Sequence, residues 1–165
     1  MAVLSVLRLP ARVLKQRAEE MGEGRDRQLA EDLVDTMRAS PACVGLAAPQ
    51  IGIARRAIAV DVSVHPKTTT SHGLVVLYDP VIIKSEGREV GREGCMSVPD
   101  LTAEVGRALS IVVQGVTPEG DERVIATEGF EARAFQHEVD HLDGLLILDR
   151  VASLATDVFR RKTYK

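Results

Sequence analysis

Between residues 26 and 39, Leu29, Leu33, Val34 and Met37 recur at helical spacing, with acids and bases on the other face. The pattern predicts an amphipathic helix. Ser40-Pro41 ends it, because the residue before a proline is biased away from helical geometry. Residues 43–52 are small, apolar and loop-like, with one amide in the middle. From Arg56 the period changes. Residues 57–62 and 74–83 are rich in β-branched side chains and predict strands, the second broken at Asp79-Pro80. The polar stretch 63–73 between them predicts an exposed loop, with His65 and His72 solvated in it. Residues 109–113 and 123–127 predict two further strands, joined across a turn at 117–120. A second helix is predicted over about residues 130–143, with Gly144 as its C-terminal stop. Residues 145–148 read as strand or core, and 151–161 as a last helix running into the basic end 160–165. Strands followed by a helix, without βαβ alternation, predict an α+β fold.

Composition narrows the class. With 165 residues and 17.9 kDa the chain predicts one domain, residues 1–165. Hydrophobic residues at 45% and charged residues at 27% are ordinary globular usage and exclude a disordered chain. A net charge of −3 and only 3% aromatics argue against nucleic-acid recognition, which favours basic surfaces and stacking platforms. Cys43 and Cys95 are too few for a disulfide scaffold. No stretch reaches the ~18 apolar residues of a membrane span, and no signal peptide is read at the start. The expectation is a soluble protein of a reducing compartment.

The segment carrying chemistry is Gln136-His-Glu-Val-Asp-His141. On a helix, His137 and His141 are four residues apart and can face one metal ion. Glu138 then stands beside the ion rather than under it, where a general base for an activated water belongs. Phe130, Ala134, Phe135, Val139 and Leu142 make this helix apolar on more than one side, so it is expected to be buried. A buried histidine or glutamate needs a partner or a metal. The third ligand expected is Cys95, in Glu93-Gly-Cys-Met-Ser97: a thiolate and two imidazoles leave one position open, as catalytic sites require. Asp149 and Asp157 lack supporting context.

Three segments together, Val44-Gly-Leu-Ala-Ala-Pro-Gln50, Glu93-Gly-Cys-Met-Ser97 and Gln136-His-Glu-Val-Asp-His141, resemble the signature motifs of the peptide deformylase family, in the same order and at similar spacings. The resemblance implies antiparallel strands packed around the metal-binding helix. It also implies removal of the N-formyl group from N-formylmethionyl peptides of nascent proteins, with release of formate.

In the implied site Cys95, His137 and His141 hold one divalent ion. The family implies Fe²⁺, with Zn²⁺, Ni²⁺ or Co²⁺ able to substitute. Glu138 moves the proton, and the oxyanion is met by the Gln50 amide and the Met96 backbone N–H. Small residues from Cys43, Val44 and Gly45 onward suit a peptide laid along a strand edge, and Val44 and Phe135 would wall the methionine pocket. The first motif of the family usually begins with glycine, so Cys43 stands as a passive wall, a redox partner for Cys95 or a fourth ligand. The basic end could meet ribosomal RNA near the peptide exit; no membrane partner and no sequence-specific nucleic acid are expected. The compartment implied is the cytoplasm, or an organelle in a eukaryote. Two other readings are a related small metallo-amidase or peptidase, and a non-catalytic paralogue that binds peptide N-termini.

Overall fold

Asp26 caps the first helix by accepting the Leu29 N–H on Oδ1 at 3.0 Å, and α1 runs Arg27–Ala39. A cap of this kind satisfies one of the free amides of the first turn. Leu29, Leu33 and Met37 are buried on one face, as their spacing requires. The computed structural model describes residues 2–23 and 26–161.

The segment 43–52, expected as a loop, holds strand β1 (Gly45–Ala47) and a 3-10 turn over Ala48–Ile51. Strand β1 is the edge of a five-stranded antiparallel sheet with β2 (Ala57–Val60), β3 (Val75–Glu86), β6 (Ser110–Val116) and β7 (Glu122–Glu128), in the order β1-β2-β3-β6-β7. Every residue of β2 is buried because the sheet is covered on both faces. Ile58 and Val60 point into one core and Ala57 and Ala59 into the other, beneath α1, as the two-residue period of a strand dictates. Asp79-Pro80 does not end β3. Asp79 takes a positive φ of 51°, the register slips between Tyr78 and Val81, and the strand continues. The Asp79 carboxylate also accepts the N–H groups of Met21 (2.7 Å) and Gly22 (3.0 Å).

The second helix, α2 (Gly129–Leu142), packs its Ala132, Phe135 and Leu142 against the inner face of the large sheet. Gly144 follows with φ 75°, the left-handed stop expected of it. Residues 145–148 do not form a strand: Leu146 and Ile147 are buried around a 3-10 turn, Ile147–Asp149.

Two strands escaped the sequence reading, β4 (Glu89–Cys95) and β5 (Val98–Arg107), which form a hairpin. The expected last helix is absent. Residues 153–157 form a turn closed by the Asp157 side chain on the Ser153 N–H (2.9 Å), and Val158–Arg160 is a strand, β8, paired with β5. The sheet wins because alternation serves both faces: Val158 packs beside Ala103 and Val105, while Phe159 lies under the Arg92 guanidinium at 3.7 Å. Residues 162–165 of the basic end lie outside the described residues. His65 and His72 are not simply solvated either. His65 stacks on Phe130 with ring centroids 4.2 Å apart, and His72 bonds the buried Glu131 through its backbone N–H (2.7 Å) and its ring. Among the described residues no helix is long and apolar enough to cross a membrane.

Candidate metal centre

Strand β4 ends in a two-residue turn, Met96-Ser97, and its pairing with β5 shifts register between Gly94 and Cys95. Irregularities of this kind re-aim a side chain. Cys95 enters the buried side of the hairpin and meets α2, where one face of the helix presents His137 and His141. The three ligand atoms of Cys95, His137 and His141 lie within 4.8 Å of one another. The Cys95 Sγ is 3.4 Å from His141 Nε2.

Glu93 orients His137. Its Oε1 accepts from Nδ1 at 2.9 Å, which leaves Nε2 as the ligating nitrogen. Glu93 is itself gripped. Arg107 binds it bidentately, Nε to Oε2 and Nη2 to Oε1 at 3.0 Å each, and Arg133 Nη1 reaches Oε2 at 2.7 Å. Arg107 extends its Nη1 to Asp140, which Arg150 clamps from outside at 2.9 and 2.8 Å. Burial alone would raise the Glu93 pKa; the bonds from His137 and Arg107 overcome it and hold the carboxyl well below its ordinary range. The sequence reading missed Glu93 as an orienting group, and with it Arg107, Arg133 and Asp140. The signal available was the position of Glu93 two residues before Cys95 in a motif already quoted.

The same balance acts on Cys95. Burial would raise its pKa, and the His141 and His137 imidazoles bring it well below the usual thiol range, toward the thiolate a metal needs. Glu138 lies 4% exposed on the same helix, and its Oε1 is buried with no hydrogen-bond partner among the described residues. Burial raises its pKa against the pull of His137 and His141. Gln50 is 2% exposed. Its Oε1 accepts the Ala47 N–H at 3.0 Å, which turns Nε2 toward Ser97 Oγ (3.1 Å) and Cys95 Sγ (3.7 Å). The amino-terminal segment ties these parts together, Leu7 N–H donating to Gln50 O (2.7 Å) and Leu9 N–H to Ser97 O (3.0 Å).

The donor set fits a divalent ion. One thiolate and two imidazoles suit a first-row transition metal, and three protein donors leave the remaining positions for water or substrate. The buried Glu138 beside them, whose Oε1 has no hydrogen-bond partner among the described residues, fits a role in proton transfer rather than in closing a structural site. Cys43 is not part of this group. Its Sγ donates to the Gly45 carbonyl at 3.1 Å, and burial, with the neighbouring Glu138 charge, pushes its pKa up to about 12. Its place outside the cluster disfavours ligation, and a thiol held protonated disfavours a redox partnership with Cys95. Val44 is half-buried against the core, and Phe135 has no exposed surface.

Gly45 lies opposite Val60 in a pair whose flanking Asp61 N–H donates to Val44 O at 2.9 Å. In an antiparallel ladder this places the Gly45 N–H and C=O on the side away from β2, at the free edge of the sheet. A peptide can add there as a further strand.

The sequence profile of the family described as polypeptide deformylase matches residues 3–157. The peptide deformylase of Thermodesulfovibrio yellowstonii is 39% identical over 164 residues, covering 98% of this chain and 97% of its own. That of Desulforudis audaxviator is 43% identical over 165 residues, covering 98% and 99%. Among solved structures, the peptide deformylase of Thermotoga maritima superposes with a TM-score of 0.82 at 34% identity, over 93% of this chain and 100% of its own. A Met-Ala-Ser-bound class I type b peptide deformylase from Acinetobacter baumannii does so with a TM-score of 0.80 at 34% identity, over 91% and 99%. A profile match along most of the length, relatives near 40% identity over nearly all of both chains, and a shared fold agree with the clustered cysteine and histidines, and the chain belongs to the peptide deformylase family, metal-dependent enzymes that remove the N-formyl group from nascent peptides.

Proposed function

We propose that this chain, acting as one domain, hydrolyses the formamide of N-formylmethionyl peptides at the site formed by Cys95, His137, His141, Glu138, Gln50 and Met96. The observation that carries the reading is the convergence of Cys95, His137 and His141 within 4.8 Å beside a buried Glu138 whose Oε1 has no partner among the described residues. Cys95, His137 and His141 would hold a divalent ion, Fe²⁺ as the resident metal by analogy with the family. When bound, the ion supplies Lewis acidity and makes a water nucleophilic near neutral pH.

The protein's own part is positioning and proton transfer. Glu138 takes a proton from the attacking water on a carboxylate oxygen and delivers it to the departing amine nitrogen; the C–O bond of formate forms and the C–N bond breaks. Its raised pKa suits both steps, since an acid–base group works best near the operating pH. The Gln50 Nε2, already fixed by its bonds at both ends, and the Met96 N–H would donate to the developing oxyanion. Each such donor is worth about 3–4 kcal/mol when the site is dry. The peptide would run along the free edge of β1 at Gly45, with Cys43 and Val44 at its rim; Phe135, packed into the core without exposed surface, does not line that edge. The relative solved with Met-Ala-Ser supports a peptide beginning with methionine. Chains emerging from the ribosome would be the corresponding substrate, with the enzyme in the cytoplasm, or in an organelle in a eukaryote.

Release of formate from formyl-Met-Ala by metal-loaded protein, abolished by chelator and absent with acetyl-Met-Ala, is the expected result. Equal hydrolysis of the acetylated peptide would favour a general amidase.

A further inference from the structure

Glycine at position 45 is not required by its backbone. Its φ lies outside the left-handed region, so an ordinary residue could adopt the same conformation. What fills the space beside its Cα is the Glu138 side chain: a Cβ placed there would lie 2.5 Å from Oε2, 2.9 Å from Cγ and 3.0 Å from Cδ. We infer that Gly45 is a positioning residue for the base, its missing side chain forming the slot in which the Glu138 carboxylate is set. This rests on the reading of Glu138 as the proton carrier.

The slot is rigid everywhere except at the carboxylate. Strand β1 is held to β2 through Leu46 and Ala47, both without exposed surface, and the Gly45 carbonyl is tethered by the Cys43 thiol. Helix α2 is held by Phe135 and Leu142 in the core. Among the described residues no hydrogen-bond donor reaches Glu138 Oε1, and Oε2, Cγ and Cδ occupy the space that a side chain at position 45 would fill. A methyl at position 45 would therefore turn the flexible end of Glu138 out of place and leave the backbone where it is. A misplacement of about 1 Å in a reacting group costs on the order of 100-fold in rate.

The test is a double-substitution cycle on the full chain, read in folding and in turnover. In metal-free protein, Gly45→Ala should lower the urea midpoint when Glu138 is present and lose most of that effect in a Glu138→Ala background, where Cγ, Cδ and the carboxylate are gone. Equal shifts in both backgrounds would overturn the contact. In formate release from formyl-Met-Ala, Gly45→Ala should lower kcat about 100-fold with little change in KM. In a Glu138→Ala background, which lacks every atom of the contact, the same substitution should leave the residual turnover nearly unchanged. Additive losses, or a raised KM with kcat kept, would overturn the proposal, the second by showing a methyl that only obstructs the peptide. Should the wild-type protein release no formate, the functional reading fails, while the folding cycle still decides whether Gly45 sets Glu138.

Discussion

Glu93 and His137 are joined by a 2.9 Å hydrogen bond from the imidazole Nδ1 to the carboxylate Oε1, and that bond decides which nitrogen of His137 is left for a metal. Glu93 can do this because His137 and Arg107 keep it ionised and the bonds from Arg107 and Arg133 hold it in place. Replacing it by glutamine puts an amide NH₂ group against arginine donors. Glu93→Gln should weaken metal binding about 10–100-fold, as loss of such orienting partners does elsewhere. Competition with a chromophoric chelator measures this directly; unchanged affinity would show that His137 needs no orienting partner.

Arg107 bridges two buried carboxylates, Glu93 and Asp140. Arg107→Met leaves both facing each other with weaker compensation from Arg133 and Arg150. Breaking a buried ion pair from one side costs about 3–5 kcal/mol, so the urea midpoint should fall steeply. Wild-type stability in this variant would mean that the remaining arginines suffice.

If Cys95 ligates as a thiolate, Co²⁺-substituted protein should absorb in the sulfur-to-metal charge-transfer region. Cys95→Ser should lose that band and Cys43→Ser should keep it. The reverse pattern would reassign the ligand.

Glu138→Gln should retain metal and fold and lose about two or more orders of magnitude in turnover, because an amide cannot carry the proton. Comparing kcat in metal-replete samples of both proteins is the check; near wild-type turnover would remove Glu138 from the mechanism.

Cys43 should behave as a wall and not as a nucleophile. With its pKa pushed up to about 12, only about one thiol in ten thousand is ionised at pH 8. The reactive form is the deprotonated one, so alkylation should be slow at pH 8 and accelerate as pH rises toward that value; rapid labelling at pH 7 would contradict the buried, carbonyl-bonded thiol. Cys43→Gly should alter KM and peptide preference more than kcat, since rim contacts act on substrate and transition state alike.

The parts legible in the sequence are those where one local rule governs several neighbouring residues. Helix α1 was readable because Leu29, Leu33 and Met37 share a face behind a capping Asp26. The same holds for α2, where a single helical turn sets His137 and His141 on one side. Strands β4 and β5 were not readable, because their buried side holds Glu93 and Arg107 as well as Ala103 and Val105, and a strand that buries an ion cluster does not alternate apolar with polar. The segment 158–160 reads as helix from sequence for a related reason. Its pairing with β5 is a contact between residues more than fifty positions apart, and only that pairing tells a strand from a frayed helix.

The sequence by itself determined which chemistry this chain carries, since a cysteine, two histidines a turn apart and an adjacent glutamate have few uses together. Tertiary structure alone decided how they are aimed. The register shift that swings Cys95 to the helix, the Glu93 bond that selects a nitrogen of His137, and the bare Cα of Gly45 against Glu138 all join residues distant in the chain. Residue types set what an atom can do; the packing of α2 against β1 and the β4–β5 hairpin sets what it can reach.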